Sequence, residues 1–322
     1  MTAVDTSSVD LLRHLRTQRI ADGTFRGITF LCAGIVLVTL GAILVALAWG
    51  SLPAWRAFHF SFFTRDVWNP VTEQFGAVAA VYGTLVTSAI AILLGVPISF
   101  GIAIFLTELA PSWLRRPIGT AIELLAAIPS IIFGMWGLFV FAPFFAGHYQ
   151  PWLTTHLGAL PLIGALFQGP PLGIGMLTAS IILAVMIIPF ISAIMRDVFL
   201  TVPAVMRESA YSIGATTSEV MWNVVLPYAR TSVIGAIMLG LGRALGETMA
   251  VTFVIGNAHH ISASLFMPGA TISSTIANEF TEAVGDLYYS SLIALGLALF
   301  IVTITVLALA KLMLRRLDFR LR

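Results

Sequence analysis

Residues 207–250 read RESAYSIGATTSEVMWNVVLPYARTSVIGAIMLGLGRALGETMA, and the two halves of this stretch follow different rules. Up to Pro227 the chain is polar, with Arg207, Glu208 and Glu219 among serines and threonines. From Tyr228 a run apolar enough to cross a bilayer extends to Gly256, yet it carries Arg243 and Glu247 near its middle. A charge at mid-membrane costs about 2.5–3.5 kcal/mol on insertion scales, so such residues face a cavity or a partner. A polar elbow joined directly to a charged membrane helix is the feature the rest of the chain has to hold in place.

Of the 322 residues, 58% are hydrophobic and only 10% charged, against about 25% charged in soluble domains. The expected fold class is an all-α membrane protein with six transmembrane helices. A net charge of +2 gives no reason to expect nucleic acid as a partner. The one cysteine, Cys32, lies in an apolar run; it excludes a disulfide framework and a thiolate metal site, and reads as a buried small hydrophobe.

The spans are expected at 27–49, about 76–107, 119–145, 173–195, 228–256 and 287–314. A polar tail, 1–26, precedes them, an aromatic external loop fills 50–75, residues 76–314 form a five-helix core, and 315–322 close the chain. The first run is longer than the roughly 7–15-residue apolar core of a signal peptide and reads as an uncleaved span. In the third, Pro129 frees a carbonyl that must be satisfied inside the protein, so this helix is expected to bend. Fourteen of the seventeen Lys and Arg residues fall on the side of the termini and of segment 201–227. Only Arg56 and Arg65 fall opposite, which places both termini and the elbow in the cytoplasm.

The elbow has fixed spacing. Glu208-Ser209-Ala210 is followed after three residues by Gly214, and nine residues later by Val224-Val225-Leu226-Pro227. Glu208 to Ile213 suits a short helix, Gly214 can end it with a positive φ, and Thr217 or Ser218 can cap a second one. A unit of this size has too little apolar surface to fold alone and needs a partner. The chain's only lysine, Lys311, lies in the last span, so no Gly-x4-Gly-Lys phosphate loop exists. Any ATP that drives this protein is hydrolysed by another polypeptide.

Arg243 and Glu247 are four residues apart, hence on one face of a helix, together with Ala236, Gly240, Gly246 and Ala250. Arginine before glutamate is the weaker order for a helical ion pair, so mutual neutralisation is a poor reason to place them there. A guanidinium fork suits a tetrahedral oxyanion, and Glu247 can hold Arg243 in the empty state or accept an anion's proton. Ser130 is a candidate donor to the anion or simply bonds the turn below it. Glu123 either pairs with an arginine or borders the same route. Gly242 and Gly246 suggest close helix packing, and His259-His260 read as two exposed loop histidines.

The elbow resembles the EAA signature of type I ABC importer permeases, with Ser209 and Val224 as mild departures. Arg243-Ala-Leu-Gly-Glu247 is similar to the fifth-span motif of oxyanion permeases. The continuation Thr248-Met249-Ala250, the segment Glu123-Leu-Leu-Ala-Ala-Ile-Pro129-Ser130, and Trp68-Asn69-Pro70 with Gln74-Phe75-Gly76 are more similar to PstC-type phosphate permeases. The resemblance implies the type I importer permease fold with cytoplasmic coupling helices, in a bacterial inner membrane. It implies that Glu208, Ala210, Gly214, Leu226 and Pro227 dock an ATPase, and that Arg243 and Glu247 act on phosphate. It also implies a PstA-like second permease, two PstB-like ATPase subunits, a periplasmic phosphate-binding protein and a link to phosphate signalling. The alternatives are the same machine for sulfate or molybdate, and an ion-gradient-driven anion carrier.

Overall fold

Among the described residues, six helices are long and apolar enough to cross a membrane: Asp22–Gly50, Val78–Leu109, Ser130–His156, Met176–Leu200, Thr217–Leu245 and Asp286–Leu312. The computed structural model describes residues 5–161 and 163–320. The ends of both expected tails, 1–4 and 321–322, lie outside the described residues, as do the side chains of Arg13, Arg16, Arg315, Arg316 and Arg320.

The chain divides into two units after Gly50. In the first, one helix, Asp5–Gly50, runs through the expected tail and span without a break, because no proline interrupts it. Cys32, expected to be buried, is exposed on this helix.

In the second unit the fourth span is the most buried. Ile182, Leu183, Ile187, Ile191, Met195 and Phe199 are among its fully enclosed side chains. Small residues bring the neighbours close. A Cβ on Gly240 of the fifth span would stand 2.4 Å from Ile191 Cδ1, and one on Gly95 of the second 3.1 Å from Ile187. Hydroxyls inside the spans mostly turn back to their own helix. Thr84, Thr87, Thr107 and Ser180 donate to carbonyls four residues earlier, at 2.6–2.9 Å.

Two spans differ from the sequence expectation. The third does not start at 119: Ser112–Ala126 is a separate helix, and Pro129 starts a new one at Ser130. That helix then passes the expected end at 145 and reaches His156. The fifth starts earlier, at Thr217, and stops at Leu245. Prolines explain the continuity. The π-turns Phe105–Leu109, Gly137–Phe141, Phe145–Tyr149 and Met221–Val225 each end two residues before a proline: Pro111, Pro143, Pro151 and Pro227. A widened turn moves away the carbonyl that the proline ring would strike, so the third span continues through Pro143 and Pro151 and the fifth through Pro227, and only at Pro111 does the helix end.

A second apolar cluster joins Phe58, Phe62, Trp68, Phe75 and Ile272 to Tyr288, Leu292 and Leu295 at the start of the sixth span. A hairpin of two short strands, Trp68–Asn69 and Gln74–Phe75, places Trp68 opposite Phe75 in this cluster.

Candidate functional site

The elbow folds as two helices, Ala204–Ser212 and Thr217–Val220. Gly214 between them adopts φ +92°, the left-handed conformation expected of it. The cap of the second helix is Thr216 rather than Thr217 or Ser218. Its hydroxyl accepts from the Glu219 amide at 3.3 Å, and the Glu219 carboxylate accepts from the Thr216 amide at 2.7 Å. Only Thr216 has a glutamate three residues on, which is what a capping box requires. Ala210 is buried, whereas Glu208 and Pro227 are exposed and Leu226 half-buried. Ile213 is 86% exposed beside a depression of about 380 Å³ lined by Ala210, Gly214, Ala215, Glu219 and Asn223. Ile213 and this depression form the exposed face of the elbow.

Sequence reasoning missed what ties the elbow to the membrane. Arg207 contacts Glu108, at the end of the second span, at 3.2 Å, with both side chains largely buried. Arg207 also donates to the Phe199 carbonyl near the end of the fourth span. No aligned hydrogen bond reaches Glu108 Oε1, so the contact is ionic. Glu108 stands just past the expected span 76–107, and no local pattern joins it to Arg207.

The second elbow helix is continuous with the fifth span. A single helix of 29 residues, about 43 Å at 1.5 Å per residue, runs from Thr217 to Leu245. Arg243 stands in its last turn, where a cation complements the helix dipole. Its guanidinium carbon lies 5.2 Å from the centroid of the Phe190 ring on the fourth span. Among the described residues Arg243 makes no hydrogen bond or ion pair, and its Nε is buried without a partner.

The expectation that Arg243 and Glu247 share one helical face is corrected here. The helix ends with Gly246 as its cap, and Glu247 falls outside it. The Glu247 carboxylate instead accepts from the Ala250 amide, at 3.3 Å, at the start of the short helix Met249–Thr252. Each charge thus faces the helix end that suits its sign, and the two form no ion pair. Among the described residues no neighbouring helix packs closely on Gly242 or Gly246. A Cβ on Gly242 would meet only Leu307, at 3.9 Å, and one on Gly246 only its own helix. Close approach occurs instead at Gly134 of the third span, where a Cβ would stand 3.0 Å from the Met249 carbonyl oxygen.

Ser130 is half-buried at the first position of the third span, with no hydrogen bond to the turn below it. Glu123 pairs with Arg196 at 2.6 Å, and Arg196 also holds Asp197 at 2.9 Å. This is the pairing alternative for Glu123.

His259 is not the exposed histidine expected. Its Nε2 lies 2.7 Å from Glu279, and its ring stacks on Trp68 at 5.7 Å. Glu279 also accepts from the Tyr288 hydroxyl at 2.6 Å and from Trp68 Nε1. Burial alone would raise the Glu279 pKa, but the bonds from His259, Tyr288 and Trp68 outweigh it and hold the carboxyl below its ordinary value. His260 remains exposed.

Residues 95–322 match the binding-protein-dependent transport system inner membrane component, and the chain belongs to that family. Solved structures agree on the fold. A bacterial ABC transporter for the polysaccharide alginate superposes with a TM-score of 0.58 at 17% identity, over 89% of this chain and 96% of that one. The MetNI methionine ABC transporter gives 0.51 at 18% identity, over 74% and 94%. The curated relatives are more specific. The phosphate transport system permease protein PstC of Mesorhizobium japonicum is 60% identical over 95% of this chain and 94% of its own length. PstC of Pasteurella multocida is 58% identical over 91% and 92%. The resemblance to PstC-type permeases, read from a few motifs, therefore holds over nearly the whole chain.

Proposed function

We propose that this chain is the permease subunit of an ATP-driven importer that carries inorganic phosphate across the bacterial inner membrane. One observation carries the mechanism: a single helix connects an uncovered elbow to an arginine that the fold leaves without a counter-charge. The elbow, in the cytoplasm by the distribution of basic residues, is gripped by a nucleotide-binding subunit at Glu208, Ala210, Gly214, Leu226 and Pro227. Closure of the ATPase pair displaces the elbow, and the rod Thr217–Leu245 moves Arg243 relative to the fourth span. Arg207, bound to the ends of the second and fourth spans, makes those spans follow.

Phosphate, delivered by a binding protein at the outer loops, meets Arg243 where the helix breaks. There the guanidinium donates to two of its oxygens, and Glu247, free of Arg243, is placed to accept a proton from a monobasic anion. Ser130 offers a further hydroxyl donor. Glu123, held by Arg196, braces the cytoplasmic end of the route. A PstA-like permease completes the pathway beside two PstB-like ATPases, and contact with phosphate-signalling proteins is part of the same reading. The test is ATP-dependent uptake of labelled phosphate by vesicles holding the whole assembly. Uptake is expected to be competed by phosphate and not by sulfate, and to fall sharply in Arg243→Gln at unchanged protein level. Normal uptake in that variant refutes the assignment of Arg243.

A further inference from the structure

The helix Ser112–Ala126 belongs neither to the elbow nor to the break at Arg243, and its three faces differ. At about 100° per residue, Gly119, Ile122 and Ala126 fall on one face. Gly119 and Ile122 are buried, and a Cβ on Gly119 would stand 2.4 Å from Arg196 Nη1. A second face carries Trp113, Pro117, Ala121, Leu124 and Leu125, all exposed, with Trp113 at 74% and Leu124 at 66%. The third carries Arg116, Thr120 and Glu123 and borders a depression of about 280 Å³, in which Arg115, Arg116, Thr120 and Arg196 stand over Leu106 and Leu200.

The charges in this depression do not cancel. Glu123 and Asp197 are both engaged by Arg196. Arg115 donates its Nε to the Ala110 carbonyl at 2.8 Å, and among the described residues no acid pairs with it or with Arg116. Two unmatched guanidinium groups therefore stand beside an uncovered apolar face, at the ends of the second and fourth spans.

We propose that this depression holds the phosphate group of an anionic phospholipid, with the acyl chains along Trp113, Leu124 and Leu125. Free phosphate would engage the arginines but leave that face uncovered. A protein subunit would have to bring acids to the arginines as well as cover the face. A lipid satisfies both, as interfacial amphipathic helices with basic polar faces do. The inference needs the helix to lie at the bilayer surface, and it stands whether or not the assignments of phosphate and of Arg243 do.

The test uses the whole assembly in nanodiscs, with brominated phosphatidylglycerol or brominated phosphatidylcholine at equal mole fraction. Trp113 quenching is taken as the difference between wild type and Trp113→Phe. Phosphatidylglycerol is expected to quench about two- to threefold more, a preference lost in Arg115→Gln/Arg116→Gln and kept in the double lysine variant. Should the double glutamine variant fail to assemble, Arg116→Gln alone, at a side chain with no hydrogen bond in the fold, must still reduce the preference. Equal quenching by the two lipids overturns the proposal. So does a preference abolished by millimolar inorganic phosphate, which assigns the site to free phosphate. Quenching by neither lipid also overturns it, because a protein subunit then covers Trp113.

Discussion

Glu279 and Arg243 are both half-buried charges, and the fold treats them in opposite ways. Around Glu279, the hairpin, the loop after the fifth span and the start of the sixth span each send in a donor: Trp68, His259 and Tyr288. Around Arg243 the nearest aromatic ring is Phe190, and the guanidinium Nε has nothing to donate to. A saturated buried network rigidifies what it joins. A buried charge left open costs stability and persists where something else comes to fill it. On the function proposed above, the difference separates a clasp from a binding group without appeal to the position of either in the pathway.

The sharpest way to break this comparison is to neutralise both residues. Charge-assisted hydrogen bonds are worth about 1.5–3 kcal/mol, roughly a 10- to 150-fold change in an equilibrium. Arg243→Gln is expected to reduce phosphate uptake by about that factor while the purified assembly keeps or raises its thermal midpoint. Glu279→Gln is expected to do the reverse: uptake within about twofold at permissive temperature, and stability lower by about 1.5–3 kcal/mol. Exchanged outcomes would mean that the saturated cluster is the working site.

Acid sharpens the same contrast. The Glu279 carboxyl is held below its ordinary value, so the stability it contributes is complete above an unfolded pKa of about 4.3. That contribution is lost as pH falls through the lower folded value. Wild type should therefore lose thermal stability at the acid end faster than Glu279→Gln, in scans of purified protein from pH 7 to pH 3.

The sequence made the six spans and the elbow legible because composition and spacing act locally: apolar runs, a glycine at the turn, and a fixed interval to Val224-Val225-Leu226-Pro227. It made Arg243 legible because a charge in an apolar run is costly wherever it points. The rest depended on geometry over longer distances. Pro129 was visible, but not that it separates one helix, Ser112–Ala126, from the span that follows. Pro151 and Pro227 fell outside the expected spans, whereas the π-turns before them let the helices continue through both. The four-residue interval from Arg243 to Glu247 suggested one face, but Gly246 ended the helix between them. His259 and Glu279 are twenty residues apart and Trp68 far upstream, so no periodicity could have joined them.

Between the two charges lies the rod, and smaller changes at its elbow test whether it transmits motion. Gly214→Val places a β-branched residue at φ +92°, where an L side chain is strained by about 1–2 kcal/mol. Because the space around Gly214 is open, the strain is in the backbone and not in packing. The expected result is less nucleotide-binding subunit retained on purification, with the spans intact by helical content. Thr216→Ala is milder: it removes one half of the capping box, about 1 kcal/mol. That frays only the first turn of the rod, since Val220 and Met221 stay buried. Retention of the ATPase should then be nearly normal, while the number of phosphate ions carried per ATP hydrolysed falls by less than about fivefold. Unchanged coupling in Thr216→Ala, with lost coupling in Gly214→Val, would assign the thrust to the first elbow helix and its Arg207–Glu108 contact. The continuous helix would then serve only to position Arg243.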